Sequence, residues 1–332
     1  MAGRTTGRTP TLEDVARVAG VSRATVSRVV NGIRNVDQDI QEAVRRAIEK
    51  TGYAPNRAAR SLVTRRAGAV ALVVSGAGGH VFGDPFFGRV ADGVVDFLRG
   101  HGVHPLLMLA DTDAARDDIL AHLREGGTDG ALLVSTHPDD LLTSMVAVAG
   151  LPAVVFARTL QRLSYVDVEN EVGGALAARH LLSRGCRNLA TISGPLDVRT
   201  SNERLAGFRV EAGETPTVAG NFTVASGEEA MTTLLAGHPN VDGVFAANDL
   251  MAQGALAVLQ STGRSVPTDV AVVGFDDSSA ALACRPKLTT VRQPVEDMGA
   301  AMAELLLARI QDPSLPPASR IFEPQLVIRD SA

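Results

Sequence analysis

The stretch from Thr11 to Asn31 constrains this chain more than any other. Thr11-Leu-Glu-Asp14 places a carboxylate three residues after a hydroxyl, the form of a capping box, with Asp in the place usually held by Glu. A short helix follows, in which Val15, Ala16, Val18 and Ala19 are apolar. Gly20 ends it, because glycine enters the left-handed region without a Cβ clash. Ser22 caps a second helix. Val26, Val29 and Val30, at i, i+3 and i+4, form its inner stripe. Arg23, Ala24, Thr25, Ser27, Arg28 and Asn31 are left outside. Two short helices joined by Gly-Val-Ser have helix-turn-helix spacing.

The outer set suits DNA. Arg holds guanine O6 and N7 with two hydrogen bonds, and Ala meets a thymine methyl. Ser, Thr and Asn suit phosphate oxygens, which position without specifying. An ordinary solvated helix face is the plain alternative. A third helix is expected over 36–51, striped by Ile40, Val44, Ala47 and Ile48 and stopped by Gly52. Tyr53-Ala-Pro55 reads as extended. Asn56 then caps a short segment, 57–64, rich in arginine (Arg57 and Arg60, with Arg65 and Arg66 beyond) and carrying Leu62. A basic segment with one apolar wedge suits a minor groove, where an inserted Leu unstacks a base step. A flexible basic linker fits the same residues.

Residues 11–31, with Gly52-Tyr-Ala-Pro-Asn56 and Ala59-Arg-Ser-Leu62, resemble the head piece and hinge of the lactose-repressor (LacI/GalR) family. The motif is long and specific. The resemblance implies that Arg23 and Ala24, after the capping Ser22, read bases, that Arg28 also reaches them, and that Leu62 wedges into the minor groove at the operator centre. Ser22, Thr25, Ser27, Asn31 and Asn56 complete the expected DNA-binding set.

The charge distribution fits such a head. The net charge of −5 argues against nucleic acid, but residues 1–66 carry +7 and the remainder −12. A cationic arm on an acidic body is the asymmetry of a DNA-binding head with a separate sensor. The two cysteines, Cys186 and Cys284, make neither a zinc set nor a disulfide framework. No apolar run is long enough to span a membrane and no signal peptide is legible, so a cytoplasmic place, on the nucleoid when bound, is expected.

From Ala69 onward, buried-strand runs alternate with helical stretches. Strands are expected at 69–74, 104–109, 131–134 and 153–156, then, from a second round starting near Val166, at 189–192, near 218, at 244–247, 270–275 and finally 321–328. Helices are expected between them, with a long one over 295–310. The fold class is an all-α helix-turn-helix head plus a two-lobed α/β sensor of two doubly wound parallel sheets. The sensor resembles the periplasmic sugar-binding fold of the same family. Expected boundaries are 1–56 for the head, 57–66 for the hinge, 67–165 plus 293–320 for lobe 1, and 166–292 plus 321–332 for lobe 2.

Open α/β sheets bind ligands beyond the carboxyl ends of their strands. That rule selects Ser75, Ala157, Arg158, Asn248, Asp249, Asp276 and Asp277. Asp249 reads equally well as a helix cap. The resemblance adds Arg204 as a sugar-clamping arginine, Phe222 as a stacking aromatic, and Asn248 and Asp276 as cleft-facing members of their turns. Phe86 or Phe87 faces the cleft from the other lobe or packs in its core. Ala157 stands where many sugar-sensing members have Asp, and the stretch between Phe208 and Phe222 is shorter than usual. The expected effector set is Ser75, Phe86, Arg158, Arg204, Phe222, Asn248 and Asp276, for a small molecule, a carbohydrate, with no cofactor and no metal.

The function expected is that of a homodimeric repressor on a near-palindromic operator, controlled by that effector and not touching membrane. An enzyme fused to a DNA head is the first rival, but no Gly-rich phosphate loop, GxSxG motif or metal spacing is present. A transport-type binding protein would need an export signal, and an architectural DNA protein would lack an effector.

Overall fold

The computed structural model describes residues 10–30, 36–53, 66–75, 78–134 and 141–332. They belong to two compact units, residues 1–67 and 68–332.

The first unit contains α1 (Leu12–Ala19), α2 (Arg23–Val30) and α3 (Gln38–Thr51) around Val15, Ala16, Val26, Val44 and Ala47. The backbone N–H of Thr11 donates to the Asp14 carboxylate at 2.9 Å, as the capping box requires. Gly20 and Gly52 stop α1 and α3 at φ 69° and 66°, and their N–H groups close onto Ala16 and Ile48. Ser22 Oγ accepts the Thr25 N–H at 3.1 Å and so caps α2. The third helix starts two residues later than expected, because Asp37 caps it through the Asp39 N–H. The expected hinge, 57–66, lies outside the described residues except for Arg66.

The second unit holds two six-stranded sheets. The first round runs β1 (Ala69–Val74), α4 (Gly78–Gly83), α5 (Pro85–Arg99), β2 (His104–Leu109), α6 (Asp113–Arg124), β3 (Ala131–Val134), α7 (Leu141–Val148), β4 (Ala153–Phe156) and β5 (Ser164–Val168). The second runs α8 (Asn170–Ser183), β6 (Leu189–Ser193), α9 (Arg199–Ala212), β7 (Thr217–Ala219), α10 (Val224–Gly237), β8 (Gly243–Ala246), α11 (Asp249–Ser261), β9 (Ala271–Asp276), α12 (Ser279–Ala283) and β10 (Thr289–Arg292). Then α13 (Val295–Gln311) and β11 (Ser319–Phe322) return to the first sheet, and β12 (Gln325–Val327) joins the second.

The sheet orders are β11-β5-β4-β3-β1-β2 and β12-β10-β9-β8-β6-β7. Every pairing is parallel except β12 on β10. The continuous apolar runs of β1, β3 and β4 are buried on both faces, as a helix-covered parallel sheet demands.

Two expected boundaries are corrected. The lobe boundary at 165/166 falls inside β5, whose whole length pairs with β4 or β11 in the first sheet. The single strand expected over 321–328 is two strands, β11 in the first sheet and β12 in the second, so Ile321 and Phe322 belong to lobe 1. The apolar residues on either side of Glu323-Pro324 do not reveal which sheet receives each half, and that dipeptide marks the break. The chain therefore changes sheets at 168–170, 292–295 and 322–325, and the Glu169 N–H donates to the Phe322 carbonyl at 2.9 Å, tying the first crossing to the third. The short helices α4 and α12 were not anticipated, since five or six residues carry no readable period.

Three helix pairs in the sensor share one device. Gly174 of α8 lies against the Arg204 carbonyl of α9, and Gly207 of α9 against the Glu171 carbonyl of α8. The same reciprocity joins α5 to α13 through Gly93 and Gly299, and α10 to α11 through Gly227 and Gly254. A Cβ at any of these would collide with main chain. Gly207→Ala is therefore expected to destabilise the sensor by about 1–3 kcal/mol through overpacking. Gly88→Ala, at an exposed helical position with nothing near the new methyl, is expected to be neutral or stabilising by up to about 1 kcal/mol. Denaturant unfolding of the two variants checks the contrast.

Candidate functional site

On the head, Ser22, Arg23, Ala24 and Arg28 are exposed, whereas Thr25 and Ser27 are half-buried. The Thr25 hydroxyl lies 2.8 Å from Ser22 Oγ, so part of its hydrogen-bonding capacity is used at the cap. Arg23 approaches Glu13 of α1 at 3.5 Å, with both side chains well exposed. An exposed pair of this kind is worth little and gives way readily to a phosphate or a base. Asn31, Asn56 and Leu62 lie outside the described residues.

In the sensor, Ser75, Phe86, Arg158, Arg204, Phe222, Asn248 and Asp276 all line one cavity of about 1740 Å³ between the two lobes. Each follows or flanks the carboxyl end of a strand, or faces those ends from a neighbouring helix. Phe86 and Phe87 both line it and both pack on the lobe 1 core. Phe86 meets Phe87 and Phe156 edge-on, with centroids 5.3 and 5.0 Å apart.

Arg204 is the centre of the floor. Its side chain enters from α9 and is almost wholly buried, with 6% of the residue exposed. Its Nε donates to Asn170 Oδ1 at 2.9 Å, one terminal nitrogen donates to the Ala247 carbonyl at 2.7 Å, and its carbon lies 3.7 Å above the Phe275 ring centroid. Asp276 Oδ1 stands 3.7 Å from the same guanidinium and accepts from Gln293 Nε2 at 2.6 Å. Burial works against both charges. It lowers the Arg204 pKa, offset partly by Asp276, and it raises the Asp276 pKa despite Arg204. The Gly174–Gly207 approach described above lets α9 come near enough for Arg204 to reach Asn170.

The adjacent carboxylates behave differently. Asp277 turns away from the cleft onto Arg292 (2.6 Å) and Arg329 (2.5 Å). Asp249 is neither the helix cap nor a cleft residue. Asn248 caps α11 through the Met251 N–H, and the buried Asp249 accepts from Thr290 Oγ1 at 2.6 Å and the Ser278 N–H at 2.7 Å. Gly274 is glycine because a Cβ there would crowd Asp249 Oδ1. Asn248 also donates to the Phe222 carbonyl at 3.0 Å, holding that residue at φ 66°. Arg158 is turned onto the first crossing, 3.0 Å from Glu169 and 3.4 Å from Asp167.

Among the described non-glycine residues, Ala157, Phe222, Asp276 and Asp277 have positive φ, at 79°, 66°, 110° and 51°. All four sit at strand ends or turns around the cleft. Such backbone costs on the order of 1–3 kcal/mol per residue and clusters where a scaffold holds a binding site.

Asp84, Asn170 and Gln293 also line the cavity and were not assigned to it from the sequence. Asp84 reads as a helix cap, and it is one, accepting from the Phe86 N–H at 2.9 Å. Asn170 and Gln293 lie at the first and second crossings. Their only sequence signal is a polar residue just beyond a strand that leaves its lobe. No group of three or more His, Cys, Asp or Glu among the described residues is placed to hold a metal ion. No described helix is long and apolar enough to cross a membrane.

A helix-turn-helix unit joined in one chain to a two-lobed receptor with a polar, aromatic-lined cleft defines a DNA-binding regulator with a small-molecule receptor body. Residues 11–56 match the model of bacterial regulatory proteins of the lacI family, and residues 178–332 match that of a periplasmic binding protein-like domain. The HTH-type transcriptional regulator CelR of Thermobifida fusca is 45% identical, covering 98% of each chain. A solved transcriptional regulator CelR–cellobiose complex is 42% identical over 97% of this chain and 100% of that one, with a TM-score of 0.77. The lac repressor dimer bound to operator has the same fold, with a TM-score of 0.85 over 98% of this chain and 99% of that one at 24% identity. The chain belongs to the LacI family of transcription regulators, and it is a regulator, not an enzyme.

Asp167 gives this site a pH signature. Burial raises its pKa to about 6, against the lowering by the Val168 and Arg158 N–H groups. A carboxylate that holds its proton in the folded chain but not in the unfolded one stabilises the fold at low pH. That contribution is lost as pH rises from about 4 to about 6. Asp167→Asn is expected to remove this part of the slope, so its stability relative to the natural chain rises across that window and levels off above it. Melting temperatures of the two proteins at a series of pH values check the sign.

Proposed function

We propose that the chain is a homodimeric repressor whose operator affinity is set by a neutral carbohydrate bound between its lobes. The observation that carries the reading is the buried Arg204–Asn170–Asp276–Gln293 cluster, set among Phe86, Phe156 and Phe222 at the floor of the cleft. Charged and amide groups bond sugar hydroxyls, and aromatic rings cover the C–H faces. The three described cleft arginines each face an acidic side chain: Arg158 faces Asp167 and Glu169, Arg199 faces Glu203, and Arg204 faces Asp276. Among the described lining residues no arginine is in surplus over the acidic groups, which favours a neutral sugar over a phosphorylated one. The similarity to a regulator solved with cellobiose makes a β-linked glucose disaccharide the first effector to try. Ala157 lacks a carboxylate, so on the lobe 1 side the described charged and amide groups lining the cavity are Asp84, Arg158, Gln161 and Asp167, beside the hydroxyls of Ser75, Thr143, Ser144 and Thr159.

On the DNA side, Arg23, Ala24 and Arg28 read bases, Ser22, Thr25, Ser27, Asn31 and Asn56 contact the backbone, and Leu62 is the minor-groove wedge. Arg23 leaves Glu13 on binding. Dimerisation is supported by β2. It is an edge strand whose Leu106 and Leu107, pointing to opposite faces, are 43% and 49% exposed. Such an edge is normally covered. Two copies then present two heads to a near-palindromic site. The proposed lobes are 67–168 with 295–322, and 170–292 with 325–332, following the crossings. A cytoplasmic site of action follows from a DNA target.

Selection of DNA from a random pool by the full chain, with and without cellobiose, tests the reading. A near-palindromic sequence should be enriched, and its retention should change with the sugar. Enrichment of nothing above background refutes the repressor reading. Arg23→Ala should relax preference at one base position in each half-site, at about 1–3 kcal/mol, whereas a uniform loss across sequences would place Arg23 on phosphate alone. Arg204→Gln should weaken cellobiose binding at least about tenfold in calorimetry, in line with the loss of a charge-assisted bond. Unchanged binding would remove Arg204 from the site.

A further inference from the structure

Arg89 joins groups that belong to different lobes. It lies on α5, one turn beyond Phe86. Its Nε and one terminal nitrogen grip the Glu296 carboxylate in the first turn of α13, at 2.6 and 2.8 Å. That pair alone is internal to lobe 1. The other terminal nitrogen donates at 2.8 Å to the main-chain carbonyl of Asp276, at the end of β9 in lobe 2. The Gln293 carbonyl, at the second crossing, lies 3.5 Å from the nitrogen that also serves Glu296. Arg89 is thus braced by a fork-to-fork ion pair on its own lobe and reaches across the joint with its remaining donor.

The residue it reaches is one whose side chain lines the cleft. Asp276 offers its carboxylate to the cleft, beside Arg204 and Gln293, and its carbonyl to Arg89, with its backbone at φ 110°. The carboxylate and the carbonyl are a few bonds apart, so a ligand that pulls on one moves or fixes the other. On the lobe 1 side, α5 carries Phe86 and Phe87 into the cavity from its first turn. A plain surface ion pair between Arg89 and Glu296 would account for neither the Asp276 bond nor the low exposure of the Arg89 side chain, 19% against 49% for Glu296.

We propose that Arg89 is a positioning residue that latches the Asp276 turn of lobe 2 to helix α5 of lobe 1, coupling ligand contact on one lobe to the placement of Phe86 on the other. The role in effector response rests on the carbohydrate-sensor reading above, whereas the latch itself does not. A chain in which Arg89 cannot bridge keeps its two lobes folded but loosens the joint between them.

Hydrogen exchange on the full chain without added ligand reads the latch directly. In Arg89→Gln, amides of residues 276–279 and 295–298 should exchange at least about tenfold faster, while those of β1 and β8 keep the natural rate. Arg89→Lys, a single point donor unable to span Glu296 and the Asp276 carbonyl together, should fall between the two. Glu296→Gln weakens the brace and should speed the same segments to a smaller degree, which keeps the comparison available if Arg89→Gln does not fold. Exchange unchanged at both segments, or faster uniformly across the sensor, would overturn the latch. In a parallel cellobiose titration, a natural chain that binds and an Arg89→Gln chain that binds several-fold more weakly support the coupling. Equal affinity overturns it. A natural chain that does not bind cellobiose rejects that effector, and the exchange result alone then decides the latch.

Discussion

A guanidinium buried at the floor of a cleft sets the terms for everything around it. An arginine with so little access to water costs several kcal/mol unless its donors are met and its charge is matched. Arg204 meets Asn170, the Ala247 carbonyl, the Phe275 ring and, at longer range, Asp276. Asn170 opens α8 at the first crossing, Gln293 holds Asp276 at the second, and Asp167, within reach of Asn170, is the next-to-last residue of β5. The polar floor and the joint between the lobes are therefore built from the same residues.

The backbone supports the same conclusion independently. Parallel strands deliver their side chains to one edge, but aiming those side chains into a cleft needs sharp turns at the strand ends. Ala157, Phe222, Asp276 and Asp277 supply such turns in conformations that residues with a Cβ disfavour. Surrounding bonds hold them there: Asn248 on the Phe222 carbonyl, Arg89 on the Asp276 carbonyl, and Arg292 with Arg329 on the Asp277 carboxylate. Close main-chain approach at Gly93, Gly174 and Gly207, where a Cβ would not fit, packs the supporting helices tightly on their neighbours. The two sheets are joined by the chain at the three crossings.

Much of this was legible in the sequence because its local signals agree with its global fold. The capping box at Thr11, the stop at Gly20, the cap at Ser22 and the apolar run of β1 each state one local outcome, and each occurs. The strand-end rule placed Ser75, Arg158, Asn248 and Asp276 on the cavity wall, and the family resemblance added Arg204 and Phe222. What was not legible depends on partners distant in the chain. Glu323-Pro324 marks a break within 321–328, but nothing local says that the two halves join different sheets, or that all of β5 lies in the first. The opposite fates of Asp276 and Asp277 are decided by Gln293, Arg292 and Arg329. Asp249 looked like a cap or a ligand, and Thr290 and Ser278 make it neither. Glycines inside helices read as weak helix formers, and only the packing of a second helix shows why Gly174 and Gly207 are there.

The central claim is that one small-molecule site and one DNA site share a single free energy of coupling. If they do, each ligand must change the other's affinity by the same factor. The direct measurement is the dissociation constant for cellobiose of the full chain, with and without saturating selected operator, set beside the operator constant with and without saturating sugar. The account predicts two equal ratios, both different from one. A cellobiose affinity indifferent to operator would contradict it.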